Sequence, residues 1–280
     1  FYRTGFLQAG SIDEKDLIEW QRGEDGIILG QESFELDGNK NYCWLLIHSY
    51  VSTPDEMRGL AEAINSEFGD FVLVPRLEGH SELPSHILNL SLNEWYEQVK
   101  QEYLELHKDC QNINVAGSSF GGTLTLKLAE EFDLHSVYAI DAFLKMPYNF
   151  LYILKPETSM KFLSSNLHYL KKLKTASIFD PKGSEEHVAY WNMPFSPVVN
   201  SEEFIKEVVT NLNKIEEPLF IAHSEKDSVS SFLSAQLIFD QVSSLNKKLL
   251  PLVDSDHLLL RDYDKNLVVE NIINFESLLR

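Results

Sequence analysis

The chain has 280 residues, 44% of them hydrophobic, enough to bury one large core, and α/β architectures of this length often form one domain. Its 43 acidic side chains outnumber 24 basic ones and leave a formal net charge of −19; this argues against nucleic acid or an anionic membrane surface as a partner, because phosphates are held by Lys and Arg. Only Cys43 and Cys110 are present, a count and spacing that predict neither a disulfide framework nor a Cys-rich metal site.

In chain order, residues 27–36 and 42–48 are apolar or alternating runs separated by Asp37-Gly38-Asn39-Lys40-Asn41, whose Asp-Gly step predicts a hairpin opening a sheet. Cys43 falls in the second run and reads as a core residue. Met57, Leu60, Ala61, Ile64 and Phe68 recur at helical spacing after Thr53-Pro54, and Asp55 and Glu56 suit the positive end of that helix dipole. A short strand over 71–74 follows. Ser91 and Glu94 have the spacing of a capping box and predict a helix to about His107, with Leu92, Trp95, Val99 and Leu106 on its buried side. Residues 113–116 read as a buried strand, 117–122 as a turn and 123–132 as a helix. The runs 137–140 and 219–222 read as interior strands, 249–253 as a last strand and 265–279 as a C-terminal helix.

Strands alternating with helices in this manner predict a mainly parallel sheet covered on both faces. Residues 142–214 interrupt the rhythm. They carry Phe143, Tyr148, Phe150, Tyr152, Phe162, Tyr169, Phe179, Tyr190, Trp191 and Phe195, punctuated by five prolines, and read as a cap inserted within a single domain spanning 1–280. No stretch approaches the roughly 18 apolar residues of a membrane span. A cytoplasmic location is the expectation, although the chain starts at Phe1, which leaves an upstream signal or anchor segment open.

The chemistry concentrates in three places. Gly117-Ser118-Ser119-Phe120-Gly121 has the form G-x-S-x-G, a turn sharp enough to present a serine hydroxyl between a strand and a helix. The pattern arises by chance in about one chain in ten of this length, so its place between a predicted strand and a predicted helix carries the inference. A serine needs a base, and His257, in the loop Asp254-Ser255-Asp256-His257-Leu258 after the last predicted strand, stands where one would act. Asp227, a few residues past the strand 219–222, is the preferred carboxylate to orient that base; Asp141 and Glu225 are rivals. The amides of Phe120 and Tyr50 are the candidate donors for an oxyanion, and His48 reads as a support of its loop; His80 reads as a turn residue, with a place lining the site as the alternative.

The segments LLIHSY at 45–50, PRLEGHSE at 75–82, NVAGSSFGG at 114–122, FIAHSEKD at 220–227 and SDHLLLRD at 255–262 resemble the α/β-hydrolase superfamily, and within it the small bacterial carboxylesterases and monoacylglycerol lipases. The resemblance leaves out the first 25 residues and the cap. It implies an α/β-hydrolase fold with a mainly parallel central sheet, nucleophile Ser119, acid Asp227, base His257 and oxyanion donors Tyr50 and Phe120. One departure stands out: the family usually has His-Gly where this chain has His48-Ser49. A serine hydrolase acting on short to medium acyl esters or monoacylglycerols is the expectation, with no cofactor and no metal. Thioesterase or serine aminopeptidase activity on the same triad, and a ligand receptor without turnover, are the alternatives. Oligomeric state is not readable from the sequence.

Overall fold

The computed structural model describes residues 13–147, 169–171 and 177–280. A central sheet of seven strands runs in the order β1-β3-β2-β4-β5-β8-β9, comprising β1 (Phe34–Leu36), β2 (Asn39–Ile47), β3 (Asp70–Val74), β4 (Asn112–Ser118), β5 (Ser136–Ile140), β8 (Leu219–Ser224) and β9 (Lys247–Leu252). Every pairing is parallel except β1 with β3. Parallel neighbours need crossovers, and the helices that supply them cover both faces. They are α2 (Arg58–Phe68), α3 (Leu92–Leu106), α4 (Phe120–Ala129) and α8 (Leu233–Gln241); α9 (Lys265–Ser277) follows the last strand and packs beside α2, while a short α1 (Asp13–Glu19) precedes the sheet.

The alternation of strand side chains divides the core in two. Leu45, Ile47, Val115, Val137 and Ile221 pack with Trp95, Val99, Leu124 and Leu128 on one face. Trp44, Leu46, Ala116, Tyr138 and Phe220 pack with Leu60, Ile64, Val268 and Ile272 on the other. Both faces of β2, β4, β5 and β8 are therefore apolar, which is why these strands read as continuous hydrophobic runs.

Three sequence expectations are corrected. The hairpin of 27–36 with 42–48 does not form: β3 lies between the two strands, Phe34 opposite Val74 and Trp44 opposite Val72, so the Asp37-Gly38 turn joins strands that are not neighbours. The helix placed at 123–132 begins three residues earlier, at Phe120, because only Ser119 is spent in the turn after β4. The two cysteines are joined: Cys43 on β2 and Cys110 just before β4 form a disulfide with Cα atoms 6.0 Å apart. The parallel pairing of Cys43 with Ile113 brings the second cysteine alongside. Cross-linking positions 67 residues apart stabilises by at most about 4 kcal/mol through the unfolded chain. Replacing both cysteines by alanine is accordingly expected to lower the melting temperature by several degrees. Reductant should lower the melting temperature of the wild type while leaving the double variant unmoved.

Between β5 and β8 the described residues form a two-stranded antiparallel sheet, β6 (Tyr169–Lys171) with β7 (Asn192–Pro194), and helices α5 (Pro181–Glu186), α6 (Ser196–Asn200) and α7 (Glu202–Asn211). Tyr148, Phe150, Tyr152 and Phe162 of the expected cap lie outside the described residues. The described part reaches the carboxyl ends of the strands through Tyr190, whose N–H donates to Val51 O and whose hydroxyl donates to Gly79 O, and through the Tyr50 hydroxyl, which donates to Pro194 O at 2.6 Å.

Candidate active site

Ser119 occupies the single residue between β4 and α4, with φ +54° and ψ −115°. A non-glycine residue in that region stores about 1–3 kcal/mol of strain and persists only where the surroundings dictate it. They do so here. The Ser119 N–H donates to Ile140 O, and its carbonyl accepts from the N–H groups of Thr123 and Phe143. The flanking glycines are imposed by close approach: a Cβ on Gly117 would lie 2.1 Å from Gly121 O, and one on Gly121 would lie 2.2 Å from Ile47 O. Strand, helix and the end of β2 thus meet at contacts that admit no side chain.

The hydroxyl so presented lies 2.8 Å from His257 Nε2, and His257 Nδ1 lies 2.7 Å from Asp227 Oδ2. Asp227, rather than Asp141 or Glu225, meets the imidazole. Its other oxygen accepts the N–H groups of Val229 and Ser230, both at 2.7 Å. Burial alone would push the Asp227 carboxyl up, but the His257 charge and the bonds from both His223 and His257 outweigh it and hold the group well below the usual carboxylate range. Burial disfavours a charged His257 too, yet Asp227 overrides this and raises its pKa above 6.5. An imidazole held between a hydroxyl and an ionised carboxylate can take the serine's proton and keep the resulting charge.

Asp141 follows the last residue of β5, at φ +43°, beside this group. It is fully buried; that burial, and then the charge of Asp227, push its carboxyl well above the normal range. Asp141, His223 and Asp227 each offer a ligand atom within 4.8 Å of the others. However, both Asp227 oxygens already accept N–H donors, and a cation there would have to displace the bond to His257.

Phe120 opens α4, so its amide is one of the unpaired N–H groups of a helix N-terminus. Neither it nor the amide of Tyr50 has an acceptor among the described residues. The two rings pack at 5.3 Å between centroids, and Phe143 sits 5.2 Å beyond Phe120. His48 accepts the Leu77 N–H at Nε2 and reaches Ser49 O through Nδ1, an arrangement that fixes a neutral ring; burial lowers its pKa to about 4. His80 stacks edge-on against both His48 and Trp95, with centroids 5.0 Å apart in each case, and burial likewise lowers its pKa.

Two carboxylates not predicted from the sequence to take part in the site organise the loops around Ser119. Asp262 accepts four backbone N–H groups, from Phe179, Asp180, Asp256 and Tyr263, and so ties the loop bearing His257 to the chain leading into α5. Glu56, read from the sequence as a helix-dipole residue, is instead buried and holds Ser49.

No family model matches the chain. The chain is 31% identical over 250 residues to a thermostable monoacylglycerol lipase of Bacillus sp. (strain H-257), covering 89% of this chain and 95% of that protein. It is 24% identical over 233 residues to a carboxylesterase of Bacillus subtilis (strain 168), covering 82% and 90%. Among solved structures, one of two metagenome-derived lipolytic enzymes superposes with a TM-score of 0.80 at 24% identity, covering 90% of this chain and 99% of that one. The monoacylglycerol lipase of Paleococcus ferrophilus does so with 0.73 at 15% identity, covering 88% and 97%. The parallel sheet, the elbow at its centre and this degree of identity over nearly the whole chain lead to one family: the chain belongs to the lipase and carboxylesterase branch of the α/β-hydrolases, enzymes that hydrolyse ester bonds.

Proposed function

We propose that this chain is a serine esterase in which Ser119 is the nucleophile, His257 the general base and acid, and Asp227 the carboxylate that orients it. The observation that carries this reading is the unbroken line from Ser119 Oγ through both nitrogens of His257 to Asp227. Ser119 Oγ attacks the ester carbonyl as His257 Nε2 takes its proton. The amides of Tyr50 and Phe120 receive the developing oxyanion, and His257 returns the proton to the leaving alcohol. Water, deprotonated by the same nitrogen, then releases the acid and restores the serine. No cofactor or metal enters these steps.

The described residues between 142 and 214 belong to a cap over this site in our reading. The aromatic contacts of Tyr50, Phe120 and Phe143 beside the serine favour an apolar acyl group. Together with the Bacillus monoacylglycerol lipase as a relative, they point to short and medium acyl esters or monoacylglycerols. Rates on a series of p-nitrophenyl esters and 1-monoacylglycerols, set beside a thioester and an aminoacyl anilide of matched chain, test this. The apolar esters are expected to give the highest kcat/KM. Preference for charged esters would overturn the apolar assignment, and faster cleavage of the thioester or anilide would replace the ester assignment.

A further inference from the structure

Glu56 is 1% exposed, in the one-turn helix Pro54–Met57 that follows the loop carrying Tyr50. A charged side chain is removed from water only where other groups replace its hydration. Here Oε2 accepts the Ser49 N–H at 3.1 Å and Oε1 accepts the Ser49 hydroxyl at 2.7 Å. Ser49 Oγ in turn lies 3.0 Å from Ser118 Oγ, on the residue just before Ser119. Burial would push the carboxyl up, but His187 and the hydroxyls of Ser52, Ser49 and Ser118 outweigh it, and the group stays ionised.

The loop needs such a hold. Val51, next to Tyr50, is β-branched yet sits at φ +54°, a conformation that β-branched residues rarely adopt and that a free loop would abandon. No bond from Glu56 reaches Ser119, His257 or Asp227 among the described residues.

We propose that Glu56 is a positioning residue for the oxyanion site: through Ser49 it clamps the peptide ahead of Tyr50 to Ser118, and so fixes the Tyr50 N–H relative to the nucleophile. A donor already in place costs no reorganisation as charge develops, whereas one displaced by about 1 Å can cost on the order of a hundredfold in rate. The inference rests on the serine esterase reading above and adds to it a residue that makes no hydrogen bond to Ser119, His257 or Asp227 and acts on the oxyanion site through the loop, while its charge, behind those of Asp227 and Asp256, also favours a charged His257.

The test compares Glu56→Gln, Glu56→Ala and Ser49→Ala with wild type for kcat and KM on one ester, and for affinity toward a trifluoromethyl ketone, whose tetrahedral adduct carries the oxyanion. Melting curves establish folding, and a fluorophosphonate label on wild-type Ser119 controls for the esterase reading. Glu56→Ala should lower kcat by about tenfold to a hundredfold with KM within about twofold, Glu56→Gln and Ser49→Ala less, and the ketone should weaken in proportion to kcat/KM. Folded Glu56 variants with kcat within about twofold of wild type, or with a lower kcat but unchanged ketone affinity, would overturn the inference. Should neither Glu56 variant fold, Ser49→Ala decides alone: it keeps the Ser49 N–H bond to Glu56 and removes the hydroxyl link to Ser118, and wild-type kcat and ketone affinity in it would refute the clamp to Ser118 that the proposal requires. An unlabelled wild-type Ser119 would instead refute the esterase reading on which the inference stands.

Discussion

Ser119→Ala is expected to lower kcat for ester hydrolysis by at least about 10⁴-fold while leaving KM within a few-fold of wild type. The substitution removes the atom to which the proposal gives the attack and leaves the rest of the site standing. The strain at φ +54° is held by backbone bonds to Ile140, Thr123 and Phe143, none of which involves the hydroxyl, so the elbow persists. The melting temperature should hold or rise slightly. Stopped assays at high enzyme concentration, with circular dichroism melts, check both parts. Residual turnover within about tenfold of wild type would place the nucleophile elsewhere.

Asp227→Asn is expected to cost up to about 10⁴-fold in kcat with little change in structure, and the reason lies in how the carboxylate is bound. Its Oδ1 accepts the N–H groups of Val229 and Ser230, so an asparagine keeps its oxygen there and turns its NH2 toward His257 Nδ1. The imidazole must then accept at Nδ1 and carry its proton on Nε2, facing the Ser119 hydroxyl it should deprotonate. The pH profile follows with a definite sign. Burial opposes the charged form of His257, but Asp227 overcomes it and raises the pKa above 6.5. The base works when neutral, so kcat/KM in the wild type should fall as pH drops through a value above 6.5. In Asp227→Asn the largest raising influence is gone while burial remains, opposed only by the lesser charges of Asp256 and Glu56, so the acid limb should move to lower pH. Profiles from pH 5 to 9 for both proteins measure this; a limb that stays in place would mean that another carboxylate, such as Asp256, sets the charge of His257.

What the sequence made legible was local. The strands announce themselves as apolar runs because both faces of β2, β4, β5 and β8 are covered. The helix from Leu92 is readable because both halves of its capping box, Ser91 and Glu94, lie within four residues, and both bonds form. Ser119 stands out because backbone approaches of 2.1 and 2.2 Å to would-be Cβ atoms force glycines at fixed offsets on either side.

What stayed hidden depends on elements far apart in sequence. An Asp-Gly turn signals a reversal but not which strand will fill the gap, and β3 inserts between β1 and β2 from more than thirty residues away. Cys43 and Cys110 carry no spacing signature, because their meeting is a product of the β2–β4 register. Glu56 and Asp262 were invisible for a different reason: acidic side chains are usually surface groups, and these two are recognisable only once the amides and hydroxyls converging on them are known. A hint did exist for Glu56, in the Ser49 that stands where the resemblance leads one to expect glycine. The three residues that the fold brings together, Ser119, His257 and Asp227, were thus readable from motif and chain order, whereas the buried carboxylates that hold the loops around them were not.

The central claim is that Ser119 is an activated nucleophile, and covalent labelling tests it most directly. Folded protein exposed to a fluorophosphonate, followed by intact mass and peptide mapping, should carry one adduct, on Ser119, and Ser119→Ala should carry none. An adduct on another residue, or no adduct in folded wild-type protein under conditions that label a control esterase, would contradict the account.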